Sequence, residues 1–429
     1  MGRKRGRHRR RKDRTLPVGT AVILASAVAG VYVTVAPGGA SAAARTVYVS
    51  PRGSDGGAGT RAAPYRTLEK ALAAAEPGVT IEVRGGTYQP ARPLRGAVSG
   101  TADRRVRLRA YGSERVAVDG SRLPPGSALL SLSADYWTVS GLEFRAAPGR
   151  GVVCTSCTGA VFSDLDVHGN GGAGLTLRGR GSDRNLVRNL DSYDNHDDAE
   201  HGRDADGLAI ACGSGRGNRV VGARLYGNSD DGVDIRSWDG AVAIERTWAY
   251  GNGRGPRPVP GGGDGFHLGD GTARTADTRQ GRATPAAGAA ASAHAVTDSA
   301  AWGNAGSGFA ASGDPGTVLL RRTTAYANRR YGYDFPFARA RLADNLAAAN
   351  GSGKARVGGL AVSQRDNWNP GVPTPSFVTT DAAGVSGERR PGGALPATAF
   401  LVVADGSGIG SPMTARGPAL ELRGAISTP

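Results

Sequence analysis

Asp206-Gly207-Leu208-Ala209-Ile210, Asp231-Gly232-Val233-Asp234-Ile235 and Asp264-Gly265-Phe266-His267-Leu268 read as one pattern written three times, and that pattern decides the fold. The same pattern precedes them in Ala173-Gly174-Leu175-Thr176-Leu177. It follows them in Ser307-Gly308-Phe309-Ala310-Ala311, Tyr331-Gly332-Tyr333-Asp334-Phe335 and Gly358-Gly359-Leu360-Ala361-Val362. A second strand-like run comes before each copy and ends in Asn: Asn170, Asn195, Asn228, Asn252, Asn304, Asn328 and Asn350. Self-similarity of this kind marks a solenoid, in which each repeat buries its apolar face only against its neighbours. The residues one and three places after each Gly are almost all apolar and face inward. The residue between them, which includes Asp234 and His267, faces outward, because side chains alternate along a strand. The Asn column reads as a stacked amide ladder at a turn. The expected fold is all-β, a right-handed parallel β-helix with coils ~4.8 Å apart.

Composition agrees. The chain has 429 residues, 68 of them Gly, with 6% aromatics. So much Gly argues against a helical bundle, and the lack of a three-residue period excludes a collagen helix. Three Cys are too few for a disulfide scaffold, although Cys154 and Cys157 are placed to pair, leaving Cys212 as a buried thiol. Thr46–Val49 and Val79–Val83 read as strands, with a short helix over Leu68–Ala75 capped by Thr67 and a turn at Gly85–Tyr88. That helix is expected to cover the open end of the first coil. Half of the net charge of +16 lies in the first fourteen residues. The uncharged apolar stretch Leu16–Ala36 and Ala40-Ser41-Ala42 follow it. A basic head, an apolar middle and a small-residue end make a signal peptide, with cleavage after Ala42 or Ala44 and an uncleaved membrane anchor as the alternative. The expected divisions are 1–44 signal, 45–136 cap and first coils, 137–362 coils carrying the site, and 363–429 Pro/Gly-rich loops. The mature body is expected to be secreted and extracellular. It should act as a monomer, with no nucleic-acid partner and no stable membrane insertion once the signal is gone.

The charged residues then locate the chemistry. Asp206, Asp231 and Asp264 occupy one column on successive coils, with Asp230 beside it and Asp234 in the next outward column. Carboxylates stacked one coil apart repel and raise each other's pKa unless a cation sits among them. A hard divalent ion with oxygen ligands, Ca²⁺, suits Asp206, Asp230, Asp231 and Asp234. Asp264 either joins that site or caps its own turn. His267 lies one coil beyond Asp234 in the same column. Asn and Gly are four residues apart in most coils, but twelve after Asn195 and thirteen after Asn252. The extra loops at that corner are natural cleft walls.

These residues also carry a resemblance. Asp204-Ala205-Asp206-Gly207, Asn228-Ser229-Asp230-Asp231-Gly232-Val233-Asp234, Trp248-Ala249-Tyr250-Gly251-Asn252-Gly253 and Gly265-Phe266-His267-Leu268-Gly269 are similar to the family-nine pectate lyases. The likeness runs from about Thr46 to Ser407. It implies Ca²⁺ held by Asp206, Asp230, Asp231 and Asp234, and an acidic polysaccharide substrate resembling polygalacturonate. It also implies β-elimination with His267 as base, at a position where the family carries Lys. Another Lys of the family, shortly after the Ala-Asp-Gly strand, is matched by Ala211. Two other classes stay open at this stage: a non-catalytic carbohydrate-binding β-helix that has lost the base, and a glycoside hydrolase acting through two carboxylates without Ca²⁺.

Overall fold

The structure is a computed structural model and describes residues 45–197, 202–253, 262–269, 293–313 and 316–413. The signal-peptide reading of residues 1–44 and the tip of the loop after Asn252 lie outside these.

Three parallel sheets, one of twelve strands and two of ten, wind together as a right-handed β-helix. One coil illustrates the path. Val161–Ser163 belongs to the first sheet, Asp166–His168 to the second and Leu175–Gly179 to the third, and Leu186–Arg188 returns to the first one coil higher. Winding begins earlier than the sequence repeat suggests, since Thr46–Val49 already pairs with Thr80–Val83. Gly86–Tyr88, expected as a turn, is a strand of the second sheet, with Tyr88 inward. The helix, Leu68–Ala73, is capped by Thr67, whose Oγ1 accepts from the Lys70 amide at 3.2 Å, and buries Leu68, Ala71 and Leu72 at the end of the core.

The predicted inward columns are the core. Leu175, Leu208, Val233, Phe266, Phe309 and Tyr333 are fully buried and stack in register. The Phe266 and Phe309 rings lie 4.7 Å apart, which is the coil spacing read directly. Each such side chain contributes roughly 1.5–3 kcal/mol on burial. The last copy of the pattern is a correction. The partner of Tyr333-Asp334-Phe335 is Ala355-Arg356-Val357, and Leu360 and Val362 are more than half exposed. The rule of four residues from Asn to Gly puts the last coil's equivalent position at Lys354, which stacks beyond Gly332, so the glycines at 358 and 359 were the wrong anchor.

The amide ladder is present. Nδ2 of Asn195, Asn228, Asn252, Asn304 and Asn328 each donates to Oδ1 of the next Asn at 2.8–3.0 Å. The glycine column exists because of it. A Cβ on Gly232 would stand 2.6 Å from the Gly265 carbonyl oxygen and 2.9 Å from Asn252 Nδ2. A further stack, Tyr193, Tyr226, Tyr250 and Trp302, runs up the second sheet with ring spacings of 4.4–4.8 Å. Cys154 and Cys157 form a buried disulfide. Cys212, expected to be buried, is exposed, because it bulges out of the strand with a φ of 53°.

Candidate functional site

The turn from second to third sheet sets the acidic column. Each of its Asp residues uses one carboxylate oxygen to accept the backbone amide of the next coil. Asp206 Oδ1 accepts from Asp231 N at 3.1 Å, Asp231 Oδ1 from Asp264 N at 2.6 Å, and Asp264 Oδ1 from Ser307 N at 2.6 Å. The turn-capping role considered for these residues is therefore real. It also leaves the second oxygen of each free for other work. Asp206 Oδ2 is buried and has no hydrogen-bond partner.

Asp230 adds its carboxylate from the neighbouring position, where Oδ2 accepts from Asp204 N at 3.1 Å. Oxygens of Asp206, Asp230 and Asp231 lie within 4.8 Å of one another. Burial raises all three pKa values. For Asp206 the charges of Asp234 and Asp230 add to the effect, and for Asp231 those of Asp264 and Asp230. The three carboxylates crowd one another, the backbone amides they accept leave oxygens over, and the orphaned Asp206 Oδ2 is the clearest sign that the group fits a hard, oxygen-binding divalent cation.

Asp234 stands beside this trio in the outward column. Its Oδ2 is 3.1 Å from Arg236 Nε, and the Arg236 guanidinium also reaches Asp204 Oδ1 at 2.5 Å. Burial opposes the Arg236 charge, but Asp234, Asp206 and Asp204 outweigh it and raise the Arg236 pKa. The acidic repeat pattern does not single out Arg236. Strand alternation was the available signal, since Arg236 lies two places after Asp234 and so on the same face.

His267 pairs directly with Asp234 across the sheet, one coil on, as expected. Its Nδ1 lies 3.2 Å from Asp264 Oδ2 and its Nε2 lies 3.3 Å from Ser312 Oγ. An ionised carboxylate only accepts, so Nδ1 carries the proton and the ring lone pair sits on Nε2. Asp264 thus orients the imidazole through one oxygen while the other caps the turn. An oxygen of Asp231, an oxygen of Asp264 and a nitrogen of His267 also fall within 4.8 Å of one another, which makes the two clusters contiguous through Asp231.

A parallel β-helix bearing this acidic strand end and its histidine falls among the polysaccharide lyases of the β-helix fold. The chain belongs to the Pel9A-like, right-handed β-helix family, whose model matches residues 47–347. Pectate lyase PEL9 of Emericella nidulans is 36% identical over 402 residues, covering 86% of this chain and 94% of its own. Pectate lyase L of Dickeya chrysanthemi is 29% identical over 83% of each chain. The crystal structure of pectate lyase Pel9A superposes with a TM-score of 0.70 at 27% identity, over 85% of this chain and 90% of that one.

Proposed function

We propose that the chain is an exported, calcium-dependent lyase that cleaves a polyuronate such as pectate by β-elimination. The observation that carries this reading is the contact of His267 Nδ1 with Asp264, next to a crowded group of carboxylates in which the buried Asp206 Oδ2 has no donor. Asp206, Asp230 and Asp231, with Asp234 adjoining, would hold Ca²⁺. When bound there, the ion would neutralise a substrate carboxylate and make the neighbouring C5 proton more acidic.

The chain's own residues supply the rest. His267 Nε2 takes the C5 proton, the C4–C5 double bond forms, and the bond from C4 to the glycosidic oxygen breaks. Asp264 holds the ring and stabilises the imidazolium that results. An ordinary His titrates near 6.5, so it is a base at neutral pH without the lowering a Lys would need. Arg236, placed beside Asp234 and Asp204, limits the negative charge that an incoming polyanion meets.

The test is ultraviolet absorbance of the unsaturated product from polygalacturonate, with Ca²⁺ and with a chelator. Expected is turnover with Ca²⁺ only. Removing the base should lower kcat about 10²–10⁴-fold in His267→Ala while leaving polymer affinity near wild type. Equal activity of wild type and His267→Ala would overturn the role of His267. A wild type inactive on every polyuronate, combined with an active His267→Lys, would make the chain a binding protein instead.

A further inference from the structure

His267 stands at the end of the acidic column, and its surroundings suit a cation as well as a proton. Its Nδ1 lies 3.2 Å from Asp264 Oδ2. With an oxygen of Asp231 they make a set of one nitrogen and two oxygens, all within 4.8 Å of one another. Two ligands held at about 2.0–2.2 Å by one tetrahedral Zn²⁺ stand roughly 3.3–3.6 Å apart, so the imidazole and Asp264 are already near the spacing of a shared ion. The Asp231 oxygen is close enough to complete the third side by a side-chain movement. Backbone amides hold both carboxylates in place. Asp231 Oδ1 accepts from Gly263 and Asp264, and Asp264 Oδ1 accepts from Ser307, which leaves the second oxygen of each for a ligand. Both residues are buried.

Charge at this corner calls for more than one cation. Asp204, Asp206, Asp230, Asp231, Asp234 and Asp264 gather there, and Arg236 is the cation set among them. Ionised, the six carboxylates outnumber that guanidinium by five. One divalent ion held by Asp206, Asp230 and Asp231 removes two of those charges and leaves an excess. The buried Asp206 Oδ2, which has no donor, shows that the corner is short of positive partners. Asp231 belongs to both groups, and a shared carboxylate is what a pair of neighbouring metal ions needs. The two groups differ in kind. The first is all oxygen, as Ca²⁺ prefers. The second includes an imidazole, which suits Zn²⁺ and related ions far better than Ca²⁺.

We propose that Asp231, Asp264 and His267 form a second metal site, selective for Zn²⁺-like ions over Ca²⁺, whose occupation switches off the base. The ion takes the Nδ1 lone pair of the neutral ring, the ring proton moves to Nε2, and Nε2–H donates to Ser312 Oγ, 3.3 Å away. The imidazole keeps one proton throughout, and only its place changes. A hydrogen bond from the far nitrogen is the usual support of a metal-bound histidine. Three protein ligands leave a fourth position for water, as in open zinc sites. The Nε2 lone pair that takes the C5 proton is then gone. A Lys at this position is protonated at neutral pH and offers no lone pair, so the site belongs to the histidine of this chain. The inhibition, though not the site itself, rests on the lyase reading above.

The test titrates the full chain with Co²⁺ and then Zn²⁺ in excess Ca²⁺. Co²⁺ at a site of low coordination number absorbs visible light far more strongly than the hydrated ion, which reports binding without any assay of activity. Expected is a visible band that saturates, is displaced by Zn²⁺ and is untouched by more Ca²⁺. His267→Ala and Asp264→Asn should each weaken Zn²⁺ binding by at least the roughly 10–100-fold that loss of an outer partner costs, and His267→Lys should do the same. The Ca²⁺-induced rise in melting temperature should persist in His267→Ala, which shows that the coils and the first group are intact. Zn²⁺ should stop polygalacturonate turnover, and added Ca²⁺ should not restore it. No Zn²⁺ binding in excess Ca²⁺, displacement of Co²⁺ by Ca²⁺, or undiminished binding in both His267→Ala and Asp264→Asn overturns the proposal. The last result would place the ion elsewhere, as on His196 or His201. Zn²⁺ binding lost in His267→Ala, in a chain that cleaves no polyuronate, would leave this site standing and remove the lyase reading. Cleavage without Zn²⁺ binding would do the reverse.

Discussion

The Asn column and the Asp column climb the same corner of the same coils, only three residues apart at Asn228 and Asp231, and their chemistry has opposite consequences. An amide carries donor and acceptor. Asn228 Nδ2 donates to Asn252 Oδ1 and to the Ser192 carbonyl, while its Oδ1 accepts from Asn195, so the ladder is neutral and complete. A carboxylate only accepts. Asp231 takes the amides of Gly263 and Asp264 on Oδ1, and nothing in the column donates to match the remaining charge of its neighbours. Repetition turns the first set into a structural spine and the second into a store of buried negative charge. The difference is one of hydrogen-bond inventory.

Converting one column into the other is the strongest test. Asn228→Asp should cost about 3–5 kcal/mol of stability, because it buries a charge and removes two donations at once. A denaturant titration would measure it, and a loss under about 1 kcal/mol would show that the ladder is not the spine.

The acid limb of stability should belong to neither column. Burial pushes the pKa of His294, inside the first sheet, down to about 4. A depressed folded pKa favours the neutral ring, so its contribution is complete above pH 6.5, the ordinary His value, and is lost as pH falls from 6.5 toward 4. The loss should approach about 3 kcal/mol, and His294→Leu should flatten the profile over that range. The acidic column should behave in the opposite sense when no metal is present. Asp206 and Asp231 have raised folded pKa values, so their contribution is present at low pH and fades as pH rises through those values.

Ca²⁺ should reverse that trend. Saturation at about a hundred times Kd should add about 2.7 kcal/mol of stability at neutral pH. Asp231→Asn should abolish the gain and, without metal, should melt at or above wild type, since it removes a repelling charge. A Ca²⁺ shift that survives in Asp231→Asn would place the ion elsewhere.

The smallest effect is expected at Ser312, whose Oγ lies 3.3 Å from His267 Nε2. Ser312→Ala should change kcat less than about tenfold and move mainly the pH profile, because a neutral hydrogen bond contributes roughly 0.5–1.5 kcal/mol.

The sequence alone determined the solenoid, the inward columns, the Asn ladder, and the grouping of Asp206, Asp230, Asp231 and Asp234 near His267. All of these follow from a local period: residues at equal places in successive repeats must stack when a strand stacks on its copy. Where the period is obscured, the reading slipped. It anchored the last coil on Gly358-Gly359, because that coil carries Lys354 where the others carry the Gly. The roles that depend on contacts across the turn came from the tertiary structure alone. Asp264 orients His267 with one oxygen and caps the turn with the other, and Arg236 engages Asp234 and Asp204. The docking of the C-terminal segment likewise joins residues about 170 positions apart in the chain, Gly222 and Gly392. No repeat encodes it, because that segment lies outside the period and is placed only by packing and hydrogen bonds to the finished coils.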